Sequence, residues 1–218
     1  MKCRYNTVLF DFDGTIADTG SGVKNSIRYA LGSYGIPVGD EKKLDSFIGP
    51  PLYESFERVY GVSQEESIKL VNEYRVYYAK QGVYELEVYP GILDLLNELK
   101  ASGVKTAVVS SKPKHFLDVV IPYIKADALF DTVVGPELTS NNSDKSTLIR
   151  TALSELGESA GNHVAMIGDR FYDVEAALST GVTPIGVLFG YGSKDELEGA
   201  GASLIAQNVA ELEKLLSK

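Results

Sequence analysis

Short apolar runs rich in β-branched residues punctuate the chain at Thr7-Val8-Leu9-Phe10, 104–110, 131–135, 163–168 and 183–188, each the length of a buried strand. Between them the apolar spacing changes to that of a helix. In 90–102, for example, Ile92, Leu95, Leu96 and Leu99 share a face, and Gly103 follows as a helix C-terminus prefers. Strands alternating with helices predict right-handed βαβ crossovers and a parallel sheet, hence an α/β protein with its ligand site at the carboxyl ends of the strands. Asp11, Ser110 and Asp169 each follow such a strand and are expected at one edge of the sheet.

Residues 18–88 break the alternation. They carry no convincing strand, but helix-like segments at Val23–Tyr34, Leu52–Tyr60 and Glu65–Gln81. Gly20 and Gly22 on one side and Pro90-Gly91 on the other suit two hinge crossings, so the expected organisation is a core of 1–17 and 89–218 with an all-helical insert. Nine aromatic residues lie between Tyr29 and Tyr78. Small helical domains fill their cores with such side chains, and some of them could also stack on a nucleobase. Arg58, Arg75 and Lys80 are expected in solvent, or at the anionic tail of a substrate.

Composition narrows the partners. With 30 acidic and 21 basic residues in 218, the net charge of -9 disfavours a nucleic-acid polymer or an anionic membrane surface. A phosphate ligand would need a local cation. Cys3 is a single cysteine, so no internal disulfide forms, and two histidines cannot furnish a Cys/His zinc site. The chain shows neither a leader-like apolar region nor a stretch of the ~18–20 apolar residues that a membrane span needs, so a cytoplasmic location is expected.

The chemistry concentrates at strand ends. Asp11 and Asp13, in the run Asp11-Phe12-Asp13-Gly14-Thr15, can face one site through the two-residue period of a strand, and Gly14 lets the chain bend its N–H groups toward an anion. Two neighbouring carboxylates repel each other and a phosphate, and a hard dication such as magnesium resolves both problems. A strand followed by a plain Asp-Gly turn would look the same. Ser110-Ser111-Lys112-Pro113 supplies two hydroxyls, a cation and a helix-opening proline at the end of another strand, suited to phosphate oxygens or to ordinary helix capping. Lys145 follows Asn141-Asn142-Ser143-Asp144 in the first turn of a helix running to about Leu156, where it opposes the helix dipole unless solvent or a bound anion compensates. Asp169 closes the strand 163–168, and Asp173 falls on the first turn of the next helix, where a dipole partner would also sit.

Asp11-x-Asp13-Gly14-Thr15, Ser110, Lys145 and Gly168-Asp169-x-x-x-Asp173 resemble, in order, the four motifs of the haloacid dehalogenase-like hydrolase superfamily, and the resemblance covers essentially the whole chain. It implies a Rossmann-like parallel-sheet core with an α-helical cap, here 18–88, that would close over small substrates. Ile48-Gly49-Pro50-Pro51-Leu52, Tyr89-Pro90-Gly91, Ser111-Lys112-Pro113 and Gly190-Tyr191-Gly192-Ser193 look like the phosphoglycolate phosphatase and 5′-nucleotidase branch. The implied mechanism makes Asp11 the nucleophile, forming an aspartyl-phosphate, and Asp13 the acid and then the base. Ser110 and Lys145 would hold the transferring group, with Gly14, Thr15, Ser111 and Lys112 also binding substrate. Magnesium would be held by Asp11, the carbonyl of Asp13, and Asp169, with Asp173 acting directly or through water. Serine at 110 stands where many relatives have threonine. Asp13 argues against carbon–halogen chemistry, since a halide leaves without a proton. The expected partner is a small phosphomonoester, acted on by a monomer or homodimer. The resemblance implies a phosphoglycolate phosphatase-like activity first, with a 5′-nucleotidase acting on nucleoside monophosphates, a sugar-phosphate phosphotransferase or mutase, and a non-catalytic phosphorelay module as the other readings.

Overall fold

The computed structural model describes residues 2–138 and 144–218. Asn141, Asn142 and Ser143, expected to lead into the helix of Lys145, lie outside the described residues. The chain divides into two compact units, one running to Ala17 and resuming over Val88–Lys218, the other spanning Asp18–Glu87.

In the larger unit the strands are β1 (Thr7–Phe10), β4 (Lys105–Val109), β5 (Thr132–Val134), β6 (Val164–Gly168), β7 (Thr183–Val187) and β8 (Ile205–Ala206). They form one sheet in the order β5-β4-β1-β6-β7-β8, every pair parallel. Helices α4 (Ile92–Ala101), α5 (Lys114–Tyr123), α6 (Lys145–Leu156), α7 (Phe171–Thr180), α8 (Lys194–Gly199) and α9 (Val209–Leu216) connect and cover it. This is the expected α/β, Rossmann-like architecture. Val8, Leu9 and Phe10 are sealed from solvent, which explains why β1 reads as an unbroken apolar run and not as an alternating one. Leu148, Ile149, Ala152 and Leu153 of α6 join Ala176 and Ala177 of α7 in packing against Leu9, Ala107, Val109 and Met166. Helices α6 and α7 are thereby fixed on one sheet face, each with its first turn after a strand's carboxyl end.

Strands β2 (Ala17–Asp18) and β3 (Glu87–Val88) pair in a sheet of their own. Asp18, Glu87 and Val88 therefore lie in strands, inside the stretch that reads as strandless. Two residues are too few to display a period.

The smaller unit is built on α1 (Gly20–Ser33), α2 (Leu52–Tyr60) and α3 (Gln64–Lys80), with α3 packed against both others. Ser63 opens α3 with a full capping box to Glu66. Phe47, Phe56, Tyr74 and Tyr78 are buried, with Tyr74 and Tyr78 stacked at 5.3 Å and Phe47 edge-on to Phe56 at 4.9 Å. Tyr29 and Tyr34 are exposed. Arg75 lies over the Tyr53 ring, and Arg58 donates to the carbonyl of Ser46 at 3.2 Å. Among the described residues, no helix is long and apolar enough to cross a membrane.

Candidate active site

Strands β1 and β6 run side by side with Phe10 opposite Ile167, so Asp11 and Asp169 leave the sheet next to each other. The N–H of Asp11 still donates to the carbonyl of Ile167 at 2.9 Å. One helical turn later, Asp173 returns from α7 to the end of β6. It fits because position 168 is glycine, where a β-carbon would stand 2.1 Å from Cγ of Asp173. Asp11, Asp169 and Asp173 each present a carboxylate oxygen within 4.8 Å of the other two, and all three are buried.

Lys145 is the first residue of α6, and its side chain is only 6% exposed. Its Nζ lies 2.8 Å from Oδ1 of Asp11 and 2.8 Å from Oδ1 of Asp173. These carboxylates supply the compensation that a lysine at a helix N-terminus requires, and Asp144 adds a second by accepting from the N–H of Thr147 at 3.0 Å.

Three buried carboxylates with one buried ammonium leave an excess of negative charge. Burial is the main force raising the pKa of Asp11 to about 6, with Asp173 and Asp13 adding to it and Lys145 opposing it. Burial, then Asp173 and Asp11, hold Asp169 well above the usual carboxylate range, although the Tyr191 N–H pulls the other way. For Lys145, burial alone would favour the neutral amine, but Asp11 and Asp173 outweigh it and lift its pKa above that of an ordinary lysine.

These residues suit a hard divalent cation. Every donor is a carboxylate oxygen, and Oδ1 of Asp169 is buried with no hydrogen-bond partner. Oδ1 of Asp11 and of Asp173 lack hydrogen-bond partners and have the Lys145 ammonium at ion-pair distance. The other oxygen of Asp169 accepts from the N–H of Tyr191 at 2.7 Å, and Oδ2 of Asp173 accepts from the N–H of Arg170 at 3.1 Å.

The remaining expected site residues lie on the same sheet edge. Gly14 has φ +81°, and a β-carbon there would come within 2.2 Å of Oδ2 of Asp169, so the turn after β1 wraps directly against that carboxylate. Thr15 is buried with its hydroxyl unpartnered. Ser110 is buried after β4, and its Oγ accepts from the N–H of Lys112 at 3.2 Å. Ser111 is half-buried on the same turn. The carboxylate of Asp13 stands apart from the group of three, with Nζ of Lys112 2.9 Å from its Oδ1.

Two contributors carry no residue-type signal of their own. The Tyr191 amide is a main-chain donor, recognisable in sequence only through its glycine neighbours. Glu196 accepts from Nε of Arg170 at 2.8 Å and from the N–H of Phe171 at 3.0 Å, securing the start of α7 beside Asp173. The Ser193-to-Glu196 spacing reads as a local helix cap, and Ser193 does accept from the N–H of Glu196, while the glutamate's own carboxylate reaches the other helix.

Fold and site together define an α/β enzyme with a buried carboxylate and lysine centre at the carboxyl edge of a parallel sheet. The family model described as haloacid dehalogenase-like hydrolase matches residues 8–187, and the chain belongs to that family. It is a phosphatase of that family. A 5′-nucleotidase from Pseudomonas aeruginosa is 37% identical over 213 residues, covering 98% of this chain and 96% of the relative. The crystal structure of a predicted phosphatase from Clostridium acetobutylicum superposes with a TM-score of 0.91 at 40% identity, covering 97% of each chain. A haloacid dehalogenase-like family hydrolase from Streptococcus pneumoniae superposes with a TM-score of 0.87 at 29% identity, again over 97% of each.

Proposed function

We propose that the chain is a magnesium-dependent phosphatase that hydrolyses a small phosphomonoester through an aspartyl-phosphate on Asp11. The observation that carries this reading is the buried meeting of Asp11, Asp169 and Asp173, with Lys145 paired to Asp11 and Asp173. In the first half-reaction a carboxylate oxygen of Asp11 attacks phosphorus, the bond to the leaving oxygen breaks, and Asp13 gives that oxygen a proton. In the second, Asp13 takes a proton from water, the water oxygen attacks the phosphorus, and Asp11 is released with inorganic phosphate. Lys145, Ser110 and Ser111 hold the non-bridging oxygens, with Gly14 and Thr15 closing the other side. Asp11, Asp169, Asp173 and the main-chain carbonyl of Asp13 would hold magnesium, which supplies charge neutralisation for the phosphoryl group.

Residues 18–88 are proposed as the substrate-selecting cap of this core. Nucleoside 5′-monophosphates are the preferred substrate class on the strength of the Pseudomonas relative, which is a 5′-nucleotidase matched along nearly its whole length. Phosphoglycolate is the second reading, since the branch that the motifs resemble holds phosphoglycolate phosphatases as well as 5′-nucleotidases. The test is a substrate panel with added magnesium, run on wild type and Asp11→Asn. Phosphate release that disappears in a folded Asp11→Asn protein is expected, and full activity in that variant removes Asp11 as nucleophile. Phosphoglycolate turned over tenfold better than every nucleotide would replace the preferred class by the second.

A further inference from the structure

We infer that Lys112 is a positioning residue, fixing the carboxyl of Asp13 in the orientation that both proton transfers use; the inference rests on the aspartyl-phosphate reading above. Nζ of Lys112 lies 2.9 Å from Oδ1 of Asp13, with the two side chains 5% and 17% exposed. Lysine is strongly hydrated and rich in rotamers, so burying it to its tip is costly unless a partner holds it. Lys145 already places a cation against Asp11 and Asp173. The second buried lysine goes elsewhere, to the residue assigned to handle protons.

The ammonium arrives from an immobilised backbone. The N–H of Ser110 donates to the carbonyl of Val134 at 3.0 Å, that of Lys112 to Oγ of Ser110 at 3.2 Å, and that of Lys114 to the carbonyl of Pro136 at 2.9 Å. Gly135 completes the seat, since a β-carbon there would lie 2.4 Å from the carbonyl oxygen of Lys112. The ammonium also stands 5.9 Å from the ring centroid of the fully buried Phe12. Asp13 lies beyond the end of β1, where its backbone bridges to Ala17. The ion pair gives its carboxyl a direction that the sheet ladder does not. A proton donor must come within about 3 Å of the atom it serves, and a misplacement of about 1 Å can cost roughly 100-fold in rate.

The test compares p-nitrophenyl phosphate, whose leaving group departs without a proton, with a simple alkyl phosphate, whose leaving group needs one. For Lys112→Met with p-nitrophenyl phosphate, the first-turnover burst should stay within about threefold of wild type while steady-state turnover falls about 10–100-fold. With the alkyl phosphate, first turnover falls as well. KM should move little, and Lys112→Arg should restore most of the turnover. In an Asp13→Asn background, Lys112→Met should change turnover less than about twofold, because a residue acting through Asp13 has nothing left to position. A KM that rises for both substrates with bursts lost equally would make Lys112 a phosphate ligand and overturn the inference. So would an additive loss in the Asp13→Asn background. If Lys112→Met does not fold by circular dichroism, Lys112→Gln carries the same comparison. A wild type that forms no phosphoenzyme overturns the aspartyl-phosphate reading and this inference with it, whereas an active wild type with the overturning pattern removes only the role of Lys112.

Discussion

Lys145 holds its ammonium 2.8 Å from Oδ1 of Asp11 with both side chains nearly sealed from water. A buried pair of this kind contributes little over a well-packed apolar substitute, yet removing one partner strands the other charge. Lys145→Met is therefore expected to lower unfolding free energy of the metal-free protein by about 3–5 kcal/mol in urea titrations. Turnover should fall about 100–1000-fold, as for loss of a principal donor to a developing oxyanion. An unchanged urea midpoint would contradict the electrostatic account of this site.

The raised pKa of Asp11, about 6, makes a signed statement about pH. Between pH ~4, where an unfolded aspartate titrates, and about 6, the folded metal-free protein binds more protons than the unfolded chain. Stability contributed by this site must therefore fall as pH rises through that window, and Asp169, likewise raised by burial, adds to the trend. Magnesium held as proposed would compete with those protons, so its stabilisation is expected to grow with pH. At about 100 times its dissociation constant it should raise Tm by about 5–10 °C at pH 7.5, and clearly less at pH 5. Differential scanning calorimetry with and without EDTA checks this, and a larger shift at the lower pH would refute it.

Gly14→Ala combines a positive φ with a β-carbon 2.2 Å from Oδ2 of Asp169. Gly103 has φ +72° with open space around it, so Gly103→Ala isolates the backbone term. Gly103→Ala should cost about 1 kcal/mol and leave magnesium affinity alone. Gly14→Ala should cost about 1–3 kcal/mol and weaken magnesium binding about 10–100-fold by isothermal titration.

Glu196 tests whether the start of α7 must be tied down for Asp173 to serve. Glu196→Ala frees the N–H of Phe171 and Nε of Arg170. A loss of about 1–2 kcal/mol is expected, a Tm decrease of about 3–6 °C, with several-fold weaker magnesium binding. Unaltered binding would assign Glu196 to stability alone.

What could be read in advance divides along physical lines. The buried strands were legible because a strand covered on both faces is apolar throughout, as Val8-Leu9-Phe10 is. β8 was not, since Ile205–Ala206 offers two residues and no pattern. Asp11, Asp169 and Asp173 could be placed at one edge from strand ends and helix starts, because those positions follow from chain order. The pairing of Lys112 with Asp13 could not be, because the sequence locates both near the anion and only coordinates decide which charge meets which. The Tyr191 amide is a donor that every residue but proline possesses. The aromatics of the helical unit divide between buried Phe56 and exposed Tyr34, a distinction that depends on helix orientation and not on residue type.

Strand β1 is bordered on both sides by strands that begin only at Lys105 and Val164. It must therefore wait through synthesis for neighbours encoded far downstream, and every one of its ladder bonds closes a long loop. A fragment ending before Val164 would contain Asp11 and Asp13 on a strand with one neighbour in place of two, and no Asp169 beside them. Phosphatase turnover can thus serve as a folding gauge, reporting that the most distant pairings of the core have been completed.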